Sequence, residues 1–195
     1  MTQRGPVVGP ELVGLLERSF AVTRAVLAAV PPERWGAGTP CDGWNAGQLG
    51  GHLVGGATYF GRCAAGLAPE LPTEEPRPLG DEVVADFDEA TRLNVEAFGR
   101  DGVLSEELPF AFGPTPGWVI ANISLSETVL HSWDLARATG LPYSPDESSV
   151  DAVLRFQRQS GEEELRADGM FGPAMPVPPG AGPFEELLAF TGRKP

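Results

Sequence analysis

Apolar residues recur along most of this chain at helical spacing, not in the alternation of strands. Leu12, Leu15, Leu16, Phe20, Thr23, Val26, Leu27 and Val30 form one stripe, which predicts a helix over roughly Pro10–Val30. Pro10 suits its first turn, and Pro31-Pro32 stops it. A second helix is expected to open at Asn45, with Gln48 three residues later as reciprocal capping partner, and to run to about Ala65. Its glycines oppose it, each costing up to ~1 kcal/mol relative to alanine. Gly47, Gly51 and Gly55 share one face, however, which reads as a surface for tight packing against a neighbouring backbone. A third helix, about Asp81–Phe98, has an acidic first turn and the stripe Val83, Val84, Phe87, Ala90 and Phe98. Val103–Gly117, rich in Gly and Pro, leaves room for a short irregular hairpin.

The fourth helix has the clearest limits, with Thr115 as cap, Pro116 at its first position, Gly140 just past its end and Pro142 beyond. Ser144-Pro145-Asp146-Glu147 opens a fifth as a capping box, and that helix is expected to run to about Arg166. Phe171–Pro195 reads as a proline-rich extended segment followed by a short helix near Phe184–Phe190. Long striped helices and little strand signal predict an all-α bundle. At 195 residues and 42% hydrophobic content the chain suits one domain. Residues 1–168 are assigned to the bundle and residues 169–195 to a C-terminal tail packed on it. The 25 glycines and 20 prolines concentrate around Ala64–Gly80 and Phe171–Pro183, which marks loops and not low complexity.

Charge narrows the partners. The formal net charge is −13, the only lysine is Lys194, and the arginines are scattered. Nucleic acid would need a basic face, and an anionic membrane surface would repel the chain, so the expected partner is a small molecule. The uncharged stretch Gly43–Gly61 is long enough to cross a bilayer but holds Asn45, Gln48, His52 and seven glycines, too polar for that. Met1–Val30 has no secretory core, because Glu17 and Arg18 interrupt its apolar pattern. Cys41 and Cys63 are too few for a disulfide framework and read as free thiols in a reducing cytoplasm.

Only two histidines exist, His52 and His131, and both fall on helices. At about 100° per residue, Ile120, Ile123, Ser124, Glu127, His131, Asp134 and Ala138 share one face of the fourth helix. Glu127 and His131 stand one turn apart, within reach of a single ion. His52 lies on the apolar stripe of Leu49, Leu53, Gly56, Tyr59 or Phe60, and Cys63, which points inward. A buried carboxylate needs a partner, and a divalent metal between facing helices is one. Two imidazoles and one carboxylate suit zinc with open positions, and also iron(II), nickel or manganese. The plain alternative is a hydrogen-bonded core histidine and a helix-surface Glu–His contact. Asp134 faces the same site and either orients a histidine from behind or forms a surface ion pair. A Cys41–His52 thiol–base pair is a weaker candidate than a simple buried thiol. No residue is singled out as catalytic.

Three segments add a resemblance: Thr39-Pro40-Cys41-Asp42-Gly43-Trp44 followed by His52; His131-Ser132-Trp133-Asp134-Leu135-Ala136-Arg137-Ala138-Thr139-Gly140; and the tail, Phe171-Gly172-Pro173 through Leu187-Leu188-Ala189-Phe190-Thr191-Gly192-Arg193. Together they resemble the DinB-like superfamily, in particular metal-binding proteins related to the N-terminal domain of mycothiol-dependent maleylpyruvate isomerase. The resemblance implies a four-helix bundle with an additional helix, and a metal held by His52, Glu127 and His131. It implies a thiol cofactor, mycothiol, whose sulfur the metal holds as thiolate. The isomerase's further C-terminal domain has no counterpart expected here, so fold and metal are implied and the substrate is not. The expected function is a metal-dependent thiol transferase or isomerase acting on a small electrophile. Alternatives are a non-catalytic metal or small-molecule binding protein, and an iron oxygenase using two histidines and one carboxylate.

One face of the fourth helix raises the question of association. Leu125, Val129 and Trp133 lie nearly opposite Glu127 and His131, so both sides need cover. The tail, with Phe171, Met175, Val177, Phe184, Leu187 and Leu188, is the expected cover, and a twofold homodimer is the alternative.

Overall fold

The structure, a computed structural model, describes residues 5–67, 82–159, 166 and 171–195. Helix α1 (Glu11–Ala29) buries the stripe from Leu12 to Leu27. Helix α2 (Ala46–Ala64) opens on the capping box, where Gln48 N donates to Asn45 Oδ1 at 2.9 Å and Asn45 N donates to Gln48 Oε1 at 3.0 Å. Helix α3 (Glu82–Phe98) is described from Glu82 onward, so its expected start at Asp81 lies outside the described residues. Helix α4 (Gly117–Thr139) closes on Gly140 in the left-handed conformation.

Two helix starts differ from expectation. Thr115 does not cap α4, and Pro116 stands at the N-cap position and not at the first helical position; the two residues form strand β2 (Thr115–Pro116), antiparallel to β1 (Glu107–Leu108). The Thr115 hydroxyl donates to Gly113 O at 3.0 Å, and Gly117 N donates to Glu106 O at 2.9 Å. The hydroxyl that was to cap the helix is therefore spent on the hairpin turn. Helix α5 (Glu147–Gln159) is capped by Asp146, not Ser144. Asp146 Oδ1 accepts from Ser149 N at 2.9 Å and from Ser149 Oγ at 2.8 Å, while Arg18 Nε reaches Oδ2 at 3.1 Å. The expected continuation of this helix over 160–165, and the boundary set at residue 168, lie outside the described residues.

Helices α1 to α4 pack pairwise, α1 on α3 and α4, and α2 on α3 and α4, which is a four-helix bundle. Phe87, Phe98, Leu16, Leu49, Ile120 and Leu125 are among its fully buried side chains. The tight backbone approach falls at Gly61. A Cβ there would stand 3.0 Å from the Asn94 Cα and 3.1 Å from its nitrogen, so any side chain would push α2 from α3. Asn94 uses the proximity, its Nδ2 donating to Ala57 O at 3.1 Å. The Gly51 and Gly55 positions are only half-buried.

α5 is the additional helix, lying against α4 and α1, and the tail helix α6 (Pro183–Phe190) packs chiefly on α5. On the back face of α4, Leu125 and Val129 are buried and Trp133 is half-buried. Tyr143 lies on that side, its hydroxyl donating to Val129 O at 2.8 Å and its ring 5.7 Å from that of Phe184 in α6. The tail thus backs this cover through Tyr143 and α5, where direct cover by the tail was expected. Among the described residues no helix is long and apolar enough to cross a membrane.

Asp146 gives a test of the α5 start. Partial burial works against its charge, but the Ser149 bonds and the Arg18 guanidinium overcome it and lower its pKa from the usual 3.8. A depressed carboxylate stabilises the fold in full above its unfolded value and loses that contribution as pH falls. Asp146→Ala is expected to cost about 1 kcal/mol in denaturant unfolding at neutral pH. The deficit should close as the measurement is moved below pH 3.8.

Candidate metal centre

Packing of α2 against α4 brings His52 to the Glu127–His131 pair, as their faces predict. His52 Nε2 donates to Glu127 Oε2 at 3.0 Å, and His131 Nε2 reaches the same oxygen at 3.2 Å. The two imidazole rings are nearly perpendicular, with centroids 5.0 Å apart. Leu53, Gly56, Ala57, Phe60 and Thr128 line the recess around them. It is open on one side: Glu127 keeps 40% of its side-chain surface exposed and His52 keeps 26%.

The other nitrogen of His131 faces inward. Its Nδ1 donates to Asp134 Oδ2 at 3.0 Å, and Asp134 is fully buried. Arg193 pairs with that carboxylate through Nε at 2.9 Å and Nη2 at 2.7 Å. Asp134 thus bonds His131, and its ion pair with Arg193 is buried and not on the helix surface. Cys41 Sγ lies 3.6 Å from His131 Nδ1 and donates to Asp134 Oδ2 at 3.4 Å. The thiol therefore neighbours His131, not His52. The loop before α2 places it: Thr39 Oγ1 donates to Trp44 O at 2.9 Å and accepts from Cys41 N at 3.1 Å. The same loop lays the Trp44 ring 4.6 Å from that of His52.

Charge compensation sets the protonation of the pair. Burial alone would raise the Glu127 pKa, but the His131 charge and the bonds from both histidines hold it well below the usual carboxylate range. Burial alone would lower that of His131, yet Glu127, Asp134 and Cys41 together raise it well above 6.5. Both ring nitrogens of His131 face carboxylate oxygens, an arrangement that favours its charged form.

Two clusters hold three potential ligand atoms within 4.8 Å of one another: His52, Glu127 and His131, and Cys41, His131 and Asp134. The first fits a divalent ion. Bonds of about 2.0–2.1 Å in a tetrahedral site space ligand atoms roughly 3.3 Å apart, and Glu127 Oε2 already stands 3.0 and 3.2 Å from the two histidine nitrogens. The second does not fit, because the Arg193 guanidinium already occupies both oxygens of Asp134 and would face the ion at close range.

Arg193, Cys41 and Trp44 belong to the surroundings of the site, and helical-face reasoning did not find them because they lie on loops. Each does fall within the segments that carried the family resemblance.

The family model described as the mycothiol maleylpyruvate isomerase N-terminal domain matches residues 16–136. An uncharacterized protein of Mycobacterium tuberculosis, matched in two strains, is 33% identical over 179 residues, 91% of this chain and 94% of its own length. Crystal structures of the mycothiol-dependent maleylpyruvate isomerase and of a histidine-to-alanine mutant superpose with a TM-score of 0.62. They cover 88% of this chain and 77% of theirs, at 16% and 15% identity, a likeness of fold alone.

The pH dependence of the metal-free protein checks the electrostatics. A raised histidine stabilises in full below its unfolded value of 6.5, and that contribution is lost as pH rises through the folded value. The depressed Glu127 stabilises in full above 4.5 and loses its contribution on acidification. Glu127→Gln should therefore lower the melting temperature most between pH 4.5 and 6.5, and the gap to wild type should shrink as pH rises further. A gap that widened with rising pH would contradict the assignment.

Proposed function

This chain belongs to the mycothiol maleylpyruvate isomerase N-terminal domain family, and on that footing we propose that His52, Glu127 and His131 hold one divalent metal ion that binds a low-molecular-weight thiol. The thiol is mycothiol or a relative, and the reaction is a transfer or isomerisation on a small electrophile in the cytoplasm. The observation that carries this reading is the donor set. Two imidazole nitrogens and one carboxylate oxygen converge from facing helices in a recess open to solvent. No fourth His, Cys, Asp or Glu joins them among the described residues. Three protein ligands with an open position are the pattern of reactive sites, whereas four closed ligands are the pattern of structural ones. Zinc suits this set, and nickel, iron or manganese use the same donors.

When bound, the ion supplies Lewis acidity that lowers the pKa of a coordinated thiol. The chain's own residues do the rest. Glu127 holds the two histidines together before metal arrives. His131 must release its Nε2 proton to ligate, so metal affinity rises with pH. Asp134 holds the opposite nitrogen and with it the ring's orientation. Phe60 lines the recess with apolar surface, and the Trp44 ring packs on that of His52. In this reading residues 1–168 form the metal-binding unit, and residues 169–195 are a tail that packs on it.

His52→Ala, Glu127→Ala and His131→Ala should each abolish stoichiometric metal binding while helical circular dichroism persists, since core packing carries the folding. Full metal occupancy in two of the three variants refutes the ligand set. For the thiol, calorimetry with mycothiol should give tighter binding to the metal-loaded protein than to the apo form. Equal affinities would remove the thiol chemistry and leave a metal-binding protein or an iron oxygenase.

A further inference from the structure

We infer that Arg193, on the C-terminal tail, is a positioning residue for the metal site, fixing the ring of His131 through the buried carboxylate of Asp134. This rests on the metal reading given above for the purpose the ring serves, and on the geometry alone for the contact itself.

Asp134 is fully buried, so bulk solvent does not reach its carboxylate. Its two oxygens are held by the two arms of one guanidinium, Nε on Oδ1 at 2.9 Å and Nη2 on Oδ2 at 2.7 Å. Such a fork fixes the plane of a carboxylate as well as its place, which a lysine ammonium does not. Oδ2 then accepts from His131 Nδ1 at 3.0 Å, which fixes the rotation of the ring. Its Nε2 is left facing the donor side, 3.2 Å from Glu127 Oε2. The line runs from tail to ion site through two side chains and no free rotor.

The tail is built to deliver this arginine. α6 ends through Gly192, whose N donates to Ala189 O at 3.2 Å, followed by Arg193 N donating to Leu188 O at 2.8 Å. This pair of bonds needs a left-handed residue between, and Gly192 supplies it at φ 80°. A side chain at Gly192 would also meet the backbone of Gly172 at 3.0–3.1 Å. The tail is anchored apart from Arg193, by buried Leu187, Leu188 and Ala189 and by the Arg158–Glu186 pair at 2.7 Å. Holding the tail down therefore does not require an arginine in the interior, and a buried ion pair is a poor source of stability. Orientation of His131 is what the Arg193 fork adds.

The test uses the full chain with Arg193→Lys, which keeps the charge and loses the fork, and Arg193→Ala, which leaves space for added guanidinium. Zinc affinity is read by competition with a chromophoric chelator, and the His131 Nδ1 proton by nitrogen-edited NMR with and without zinc. Both variants should bind zinc about 10–100-fold more weakly than wild type. They should also lose the slowly exchanging Nδ1 proton signal, and millimolar guanidinium should restore affinity and signal in Arg193→Ala but not in Arg193→Lys. Wild-type affinity and signal in folded Arg193→Lys overturn the inference. If the wild-type protein binds no zinc, the metal reading falls by itself. The Nδ1 signal then still decides: dependence on Arg193 supports the positioning role, and independence overturns it.

Discussion

One carboxylate governs the centre of this molecule. Glu127 sits on α4 where α2 packs across it, and a charge there must be compensated once neighbouring helices take away most of its water. His52 and His131 compensate it from either side, both on the same oxygen. The arrangement links two helices through a charged contact where bundles otherwise use apolar packing. It also leaves the Glu127 oxygen 3.0 and 3.2 Å from two imidazole nitrogens, close to the ligand spacing of a small divalent ion.

His131 divides the site into two unlike halves. Toward Nε2 lies the open recess, with Glu127 and His52 partly solvated. Toward Nδ1 lies a closed network of Asp134, Arg193 and Cys41, shut off by the loop before α2 and by the tail. The closed half carries one buried anion and one buried cation, so it is neutral as a pair and repels no cation at the open half. An ion on the closed side would meet the guanidinium instead. Of the two clusters whose donor atoms lie within 4.8 Å of one another, the electrostatics favour a cation only at the open one.

The relatives bear on the fold and the site differently. The isomerase structures share the architecture at about one residue in six, which speaks for the bundle and for nothing finer. The mycobacterial relatives match at twice that identity over 91% of this chain and 94% of their own length.

Much of this was legible in the residues themselves. The stripes of α1 and α3 and the Asn45–Gln48 box of α2 are local devices, fixed by contacts within a few residues. Glu127 and His131 were also local, one turn apart on one helix, and the inward stripe around His52 named the third member. Helix starts were less secure, because a Thr or Ser near a helix has competing uses. Thr115 went to a hairpin turn, and Ser144 was displaced by Asp146, which also gains Arg18 from α1. What only the tertiary structure decided is the closed half of the site. Cys41, 90 residues from His131, and Arg193, 59 from Asp134, reach it from segments with no periodicity to betray a facing side. A helical face can be computed from spacing, because every residue turns by the same angle. A loop has no such rule, and its direction is set by the surface it lands on.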